Sequence, residues 1–259
     1  MTLTQPPVTA APPRTAISLR SVSKAFGHGG NAVVALDNIT LDVARGEFVC
    51  LAGASGCGKS TSLNLIAGLD RPTVGEVTVH GRTALMFQEA ALFPWLTVRD
   101  NVALPLRLTG MSKAARHRRA DEILEQVHLG GQGGRRPHEL SGGMRQRAAL
   151  ARALAQDAEI LLMDEPFGAL DAMTRDLLHD ELEQVWATTG LTILFVTHNV
   201  REAARLSDRI VLLTSLPGQV ADEFPVTFSR PRRIDSPEVM GLAAAVTDRL
   251  RAEVRRHGD

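Results

Sequence analysis

A glycine-rich loop at residues 53–60 has the residue types that hold a phosphate group. Its sequence is Gly-Ala-Ser-Gly-Cys-Gly-Lys-Ser. The glycines let consecutive backbone N–H groups converge on phosphate oxygens, the lysine adds a positive charge, and the serine hydroxyl can ligate magnesium. The alternative is a glycine-rich turn that binds nothing, but all eight positions match the phosphate-binding pattern. The predicted contacts are Gly53, Ala54, Ser55, Gly56, Cys57, Gly58, Lys59, Ser60 and Thr61.

Two adjacent acids form a second chemical segment. Asp164 and Glu165 directly follow the apolar run at residues 160–163. A carboxylate at the end of a buried strand is held beside the phosphates, so Asp164 is a candidate magnesium ligand. Glu165 would point to the other side of the extended chain and could polarise a water for attack on a γ-phosphate. The alternative is a surface turn, which the preceding apolar run disfavours.

Two further positions could contact an anion. Ser141, Gly142 and Gly143 precede a predicted helix and supply a hydroxyl, N–H groups and the positive end of a helix dipole. His198 follows an apolar run at residues 194–197, at the carboxyl end of a predicted strand, where parallel sheets bind ligands. A structural or surface role is the alternative for this histidine.

The elements around these residues follow an α/β pattern. The apolar run at residues 47–52 predicts a buried parallel strand, and residues 59–67 predict a helix, so a phosphate would lie at a helix N-terminus. Alternation along residues 17–43 predicts edge or antiparallel strands. After the first parallel strand, further strands of the core are predicted at residues 73–79 and 83–87, the second ending at Gln88.

The second half of the chain changes from helix to alternating strand and helix. An inserted helical subdomain is predicted at about 90–155, with helices at 98–108, 112–127 and 143–155. Strands and helices then alternate, as a parallel α/β layer requires, at 160–163, 172–187, 192–196 and 200–206. The predicted division is a disordered leader at 1–16, one domain at 17–215 and a short C-terminal extension at 216–259 with a helix at 237–256.

Composition excludes several classes of function. Among 259 residues, Lys plus Arg and Asp plus Glu each total 29, so no global basic field recruits nucleic acid. The arginine clusters at 116–119 and 230–233 are predicted to be solvated faces. Cys50 and Cys57 are spaced unlike a metal clip and suit a reducing compartment. The longest apolar runs are strand-sized, far below the ~20 residues of a membrane-spanning helix.

The order and spacing of the motifs resemble ABC transporter ATPase subunits over about residues 17–215. The matching segments are 53–60, Gln88, 140–144, 160–165, 168–171 and His198. The resemblance implies the ABC ATPase fold, a P-loop NTPase of α/β class whose RecA-like parallel-sheet core carries an antiparallel β subdomain and an inserted α-helical subdomain. It also implies ATP and Mg²⁺ as cofactors.

The resemblance also assigns roles to residues. Gln88 would contact magnesium and the attacking water, and His198 would contact the γ-phosphate. Asp171 would lie on a loop that crosses between two subunits, and Ser141, Gly142 and Gly143 would complete the ATP site of the opposite subunit. An ATP-dependent head-to-tail homodimer is therefore expected. The implied catalytic residues are Lys59, Gln88, Glu165 and His198, and the implied magnesium ligands are Ser60, Gln88 and Asp164.

The chain departs from the family pattern in two places. Met144 stands where many members have glutamine, but the serine and glycines beside it are intact, so activity is expected to survive. The chain has no tyrosine, and adenine stacking is therefore expected on Phe26, since aromatic rings make good stacking platforms. A core aromatic is the alternative for Phe26.

Residues 87–98 look like the ATPases of importers for nitrate, taurine and aliphatic sulfonates, as do Pro217-Gly218 and Arg230-Pro231-Arg232. This resemblance implies two integral membrane permease subunits, an extracytoplasmic solute-binding protein and a place on the cytoplasmic face of the plasma membrane. An exposed patch at Phe93, Pro94 and Trp95 would dock a permease helix, with core packing as the alternative for Trp95. A soluble ABC ATPase and a nucleotide-binding regulator without turnover are the competing functions.

Overall fold

The computed structural model describes residues 15–27 and 32–257. Of the predicted leader at 1–16, only the last two residues are described, and they begin the first strand. The strands are β1 (Thr15–Phe26), β2 (Val33–Ala44), β3 (Phe48–Gly53), β4 (Val74–Val79), β5 (Thr83–Met86), β6 (Ile160–Asp164), β7 (Thr192–Thr197), β8 (Arg209–Leu213) and β9 (Val220–Pro225). The helices are α1 (Lys59–Ile66), α2 (Val98–Leu108), α3 (Lys113–Gln126), α4 (Gly142–Leu154), α5 (Ala172–Thr189), α6 (Val200–Leu206) and α7 (Pro237–His257).

A six-stranded sheet in the order β5-β6-β7-β3-β8-β9 forms the centre of the protein. All of its neighbouring strands are parallel except β9, which runs antiparallel to β8. A second sheet, in the order β2-β1-β4, is antiparallel throughout. The predicted α/β fold, with a parallel core and an antiparallel subdomain, is confirmed.

The position of β4 differs from the prediction. Its residues were expected to extend the parallel core, but β4 pairs antiparallel with β1, with Val79 opposite Ile17. The local pattern predicts a strand and does not specify its partner, because pairing depends on contacts between distant residues. The strand β9, which the sequence did not predict, completes the opposite edge of the central sheet.

Both faces of the central sheet are covered. Along β3, Phe48, Cys50 and Ala52 belong to the apolar cluster shared with the helices α2 to α7. Val49 and Leu51 belong to a second cluster shared with α1 and the antiparallel sheet. This two-sided burial explains why β3 is a continuous apolar run rather than an alternating one.

Three helices, α2, α3 and α4, are inserted between β5 and β6 and pack on one another through apolar faces. Each begins at a side-chain cap: Thr97, Ser112 and Ser141 accept hydrogen bonds from the N–H groups of Asp100, Ala115 and Met144. Such caps stabilise a helix by about 0.5–2 kcal/mol. The observed bounds agree with the predicted helices to within about one residue at each end.

The C-terminal segment packs on the core rather than standing apart. The helix α7 packs on α6 and buries Val239, Ala243 and Val246. The sequence predicted a solvated face for the arginine cluster at 230–233, and this prediction is wrong for two of its three arginines. Arg232 is buried, and Arg230 stacks over the ring of Trp186 with its guanidinium carbon 4.3 Å from the ring centroid. No helix among the described residues is long and apolar enough to cross a membrane.

Candidate nucleotide-binding site

The carboxyl ends of three neighbouring strands meet at one cleft. In the sheet register, Ala52 of β3 lies opposite Thr197 of β7, and Asp164 of β6 lies opposite Val196. The segments that leave these strands therefore emerge at the same edge of the sheet. They enclose a cleft of about 380 Å³, lined by Ala35, Ser55, Gly56, Gly58, Lys59, Ser60, Thr61, Gln88, Asp164 and Glu165.

Lys59 is the first residue of α1 and is only 6% exposed. Its Nζ lies 2.9 Å from each of the carbonyl oxygens of Gly53 and Ala54, and 3.7 Å from Sγ of Cys57. The ammonium group thus satisfies its donors on the loop that surrounds it. An arriving phosphate finds this charge already held at the loop's centre.

Two close contacts fix the shape of the loop. Gly58 has φ +90°, a left-handed conformation that glycine adopts without strain, and a Cβ there would clash with Leu36. Gly218, in the turn between β8 and β9, lies so close to the loop that a Cβ would clash with the carbonyl oxygen of Cys57. Its N–H donates to the carbonyl oxygen of Ala35 at 3.0 Å. The sequence did not predict that Ala35 and Gly218 lie against the phosphate loop.

Asp164, the last residue of β6, accepts a hydrogen bond from the side chain of Ser60. Burial is the main cause that raises the pKa of the Asp164 carboxyl; the Ser60 bond acts against it and the charge of Glu165 adds to it. Two acids and a hydroxyl therefore share a partly buried site beside a phosphate loop. A hard divalent cation prefers such oxygen ligands and would offset the unfavourable burial of charge, so these residues fit Mg²⁺.

Glu165 does not continue the extended strand, contrary to the prediction. Its φ is +44°, so the chain turns at this residue, while its N–H donates to the carbonyl oxygen of Val196 at 2.9 Å. The turn brings both carboxylates to the same cleft rather than to opposite faces. His198 lies just beyond β7, with its Nδ1 2.9 Å from Oε2 of Glu165. A non-glycine residue held at positive φ is strained, and such strain clusters at functional sites.

Gln88 follows β5 and lines the cleft. A residue that the sequence did not single out holds its backbone: the side-chain amide nitrogen of Gln146, on α4, donates to the carbonyl oxygen of Gln88 at 2.6 Å. Gln146 is buried on the inner face of α4. This bond joins the helical subdomain to the edge of the cleft.

Ser141, Gly142, Gly143 and Asp171 lie outside the cleft. Gly142 instead lines a separate cavity of about 610 Å³ with residues 88–92, 169 and 170 among others. Asp171 caps α5 by accepting from the N–H of Thr174 at 2.9 Å, and hydrogen bonds from Thr174 lower the pKa of its carboxyl. Within one chain, the loop at residues 53–60 and the segment at residues 141–143 do not share a site.

Phe26 and Trp95, for which the sequence left core packing as an alternative, are both exposed. Phe26, at the end of β1, is 47% exposed, and the Nζ of Lys24 lies 4.9 Å from its ring centroid, so it is not a core aromatic. Trp95 is 68% exposed and packs against the partly exposed ring of Phe93, with centroids 5.4 Å apart. The alternative interpretation, in which Trp95 packs in the core, is therefore wrong.

The ABC transporter family profile matches residues 36–168, which include the phosphate loop, Gln88 and both cleft acids. The chain belongs to the ABC transporter family. As a member of this family, the protein is an ATPase that couples the hydrolysis of ATP to transport.

Similar proteins agree with this assignment. The taurine import ATP-binding protein TauB of Mesorhizobium japonicum is 48% identical over 211 residues, covering 78% of this ABC protein and 82% of that relative. The aliphatic sulfonates import ATP-binding protein SsuB of Bacillus licheniformis is 44% identical over 229 residues, covering 85% and 89%.

A solved structure shows the same fold. A dimeric ATP-binding cassette in a post-hydrolysis state bound to ADP and Pi superposes with a TM-score of 0.74 at 35% identity. The match covers 82% of this ABC protein and 100% of that cassette. The predicted P-loop ABC ATPase fold is confirmed.

Proposed function

We propose that this ABC ATPase binds ATP with Mg²⁺ in the cleft and hydrolyses it through Glu165 and His198. The observation that carries the proposal is the 2.9 Å contact between His198 Nδ1 and Glu165 Oε2 at the rim of a cleft that also holds Lys59 and Asp164. One edge of the sheet thus carries a positive charge for the phosphates, oxygen ligands for a cation and a base for the attacking water.

Each cleft residue has a chemical role in this proposal. The backbone of residues 53–61 and the Lys59 ammonium bind the β- and γ-phosphates, and Phe26 stacks on adenine. Ser60, Gln88 and Asp164 would hold Mg²⁺, which would neutralise phosphate charge. Glu165 accepts a proton from the water that attacks the γ-phosphorus, and the bond to the leaving ADP oxygen breaks in line. His198 orients Glu165 through Nδ1 and contacts the γ-phosphate.

Two copies complete two sites in this proposal. Ser141, Gly142 and Gly143 present a hydroxyl, N–H groups and the N-terminus of α4 away from their own cleft, which suits the γ-phosphate held by a second copy. Asp171 lies on the loop that would cross between the copies. One homodimer would therefore enclose two ATP molecules, each held by the phosphate loop of one copy and the α4 N-terminus of the other.

The dimer would drive uptake of a small anion such as taurine, an aliphatic sulfonate or nitrate. Support comes from the import ATPases that the chain resembles and from the exposed pair Phe93 and Trp95, which offers an apolar surface for a cytoplasmic helix of a permease. Two integral membrane permeases would carry the anion, which an extracytoplasmic solute-binding protein delivers. The ATPase would sit peripherally on the cytoplasmic face of the membrane.

Hydrolysis is tested by steady-state phosphate release with Glu165→Gln. The variant keeps the size of the side chain but removes the base, so kcat should fall by at least ~10²-fold while ATP still binds. Glu89→Gln is the matched control, because Glu89 is the exposed acid next to Gln88 and lies outside the cleft lining. Unchanged hydrolysis in Glu165→Gln would contradict the role of Glu165 as the base.

Transport is tested by uptake of labelled taurine, alkanesulfonate and nitrate in the native cell, with wild type and Glu165→Gln compared. Selective loss of one solute would identify the substrate. Unchanged uptake of all three would exclude the protein from the group of taurine, sulfonate and nitrate importers and would favour another imported solute. If the ATPase also failed to co-purify with integral membrane proteins, the soluble ABC ATPase would replace the transporter.

A further inference from the structure

A second histidine and glutamate pair lies in the protein interior, close in sequence to the catalytic pair. His179 of α5 is fully buried, and its Nε2 lies 2.6 Å from Oε1 of Glu202 on α6. The ring of Phe167 packs edge-on against the imidazole, with centroids 5.5 Å apart. None of these three residues belongs to the nucleotide-binding motifs. Buried polar side chains in folded proteins nearly always have hydrogen-bond partners.

The partners of His179 determine its tautomer. An Nη of Arg205 lies 3.3 Å from Nδ1, and because a guanidinium can only donate, Nδ1 must accept. The proton therefore sits on Nε2, which donates to Glu202. Arg205 is in turn paired with Asp176 at 3.2 Å and Asp180 at 2.5 Å. The imidazole thus bridges a carboxylate and a guanidinium.

The network reaches both catalytic residues through short chain segments. The other oxygen of Glu202 accepts from the hydroxyl of Thr197, which itself accepts from the N–H of Asn199 at 3.0 Å. One hydroxyl thus fixes the residues on both sides of His198. On the opposite side of His179, Phe167 lies two residues beyond Glu165 and is buried.

We propose that His179 is a positioning residue for ATP hydrolysis. It holds the turn that carries His198 and the segment that follows Glu165, so that these two side chains keep their 2.9 Å contact. The inference rests on the proposed mechanism. Because α5 begins directly after Asp171, the same histidine connects the loop proposed to cross between subunits to the catalytic pair.

The first test compares His179→Leu with His179→Gln. Leucine removes donor and acceptor, and we expect kcat to fall by roughly 10–100-fold while the KM for ATP stays within about twofold, because the loss is one of alignment. Most of the proposed nucleotide contacts, Phe26 on β1 and residues 53–61 from the end of β3 into α1, lie outside this network. Glutamine can donate from its amide nitrogen and accept at its oxygen, so His179→Gln should keep kcat within about threefold of wild type.

Glu183→Gln is the matched control. Glu183 is a buried acid of the same helix whose ion pair is with Arg230, and Arg205 of the network acts on it only through charge. Its kcat should equal that of wild type. All variants are assayed well below their own Tm, so that loss of folded protein is not mistaken for loss of alignment.

A double-mutant cycle shows whether His179 acts through His198. If it does, His179→Leu combined with His198→Ala should lose less kcat than the product of the two single losses, because His198 is no longer there to position and only the effect on Glu165 remains. Multiplicative losses would overturn the proposal. Thr197→Val, which removes the hydroxyl at nearly constant volume, supplies a second variant should His179→Leu not fold, and wild-type kcat in Thr197→Val would also overturn it.

The outcomes also separate this inference from the mechanism on which it rests. A wild-type protein without ATPase activity would overturn both. An active wild type with unimpaired His179→Leu, or with His179→Leu changed in KM alone, would overturn the positioning role and leave the proposed function intact.

Discussion

Asp164 illustrates the conflict between stability and function at a single residue. Its carboxylate is partly buried next to Glu165, and burial raises its pKa. A carboxyl whose folded pKa is raised binds its proton more tightly in the native chain than in the unfolded chain. Its contribution to stability therefore grows as pH falls through the folded pKa, and at neutral pH its charge is a cost.

Asp164→Asn should therefore stabilise the nucleotide-free protein while abolishing hydrolysis. We expect a rise in Tm of roughly 2–4 °C at pH 7.5, which shrinks as the pH approaches the unfolded value of ~4. Thermal unfolding across that pH range is the measurement. Asp248→Asn, an exposed acid on α7, is the control and should shift Tm by less than ~1 °C. A lower Tm for Asp164→Asn at neutral pH would contradict the argument.

At this scale the sequence specified the types of the cleft residues well, because the phosphate loop and the acids after β6 are local motifs. It did not specify the backbone of Glu165, since a left-handed turn after a strand leaves no reliable trace in the residue types. The positions of Ala35, Gln146 and Gly218 at the cleft also escaped prediction. Their contacts with the loop and with Gln88 join distant parts of the chain.

Among the elements, the turn between β8 and β9 supports the phosphate loop from outside the motif. Gly218→Ala would push its Cβ into the carbonyl oxygen of Cys57. We expect a KM for ATP raised by about tenfold and a lower Tm, because backbone cannot yield as a flexible side chain can.

Gly241→Ala is its matched control. Gly241 lies in α7, and a Cβ there meets nothing within 4 Å. Alanine in a helix is more favourable than glycine by about 1 kcal/mol, so this variant should have normal KM and equal or higher Tm. Equal KM values in the two variants, measured by ATP hydrolysis, would refute the supporting role of the turn.

A buried arginine from outside α6, Arg232, binds the backbone at the C-terminal end of that helix. Arg232 donates to the carbonyl oxygens of Arg205 and Ser207 at 3.1 and 2.6 Å, and also to those of Val226 and Phe228. These include carbonyls that the end of a helix leaves without partners. Burial, with a smaller effect of the charge of Arg230, lowers the pKa of Arg232 to about 10. Four acceptors nevertheless keep the guanidinium in place.

Arg232→Met should lower the free energy of unfolding by about 2–4 kcal/mol, because methionine fills the space but leaves buried carbonyls unpaired. Urea unfolding measures the loss. Its control is Arg233→Met, which removes an exposed pair with Asp235 and should leave the free energy of unfolding nearly unchanged. Similar losses for both would show that the carbonyl contacts contribute little.

The existence of most elements followed from hydrophobic periodicity, whereas their partners did not. The helices α2, α3 and α4 carry amphipathic patterns and N-cap residues, so their bounds were predictable. The strand β4 has an equally plain pattern, yet it joined the other sheet. The strand β9, Val-Ala-Asp-Glu-Phe-Pro, carries two adjacent acids and has no buried residue. Its edge position requires little apolar burial and therefore leaves a weak signal.

For the whole molecule, the separation of the α4 N-terminus from the cleft makes a single chain incomplete. Glu165→Gln, which should bind ATP without hydrolysing it, is expected to elute from gel filtration as a dimer with ATP and Mg²⁺ and as a monomer without nucleotide. Ser141→Ala in that background removes a hydroxyl presented to the partner and should weaken the dimer by roughly tenfold in Kd. A monomer under all conditions would contradict the shared site.

The contact between Gly218 and the phosphate loop also bears on how the protein is made. The loop is complete in sequence once Ser60 has been synthesised, but the turn that supports it is added about 160 residues later. At ribosomal rates of ~5–20 residues per second, the nascent loop waits for roughly 8–30 seconds. Until the turn is in place the loop lacks this support, so we expect ATP to stabilise the emerging chain less than it stabilises the complete protein.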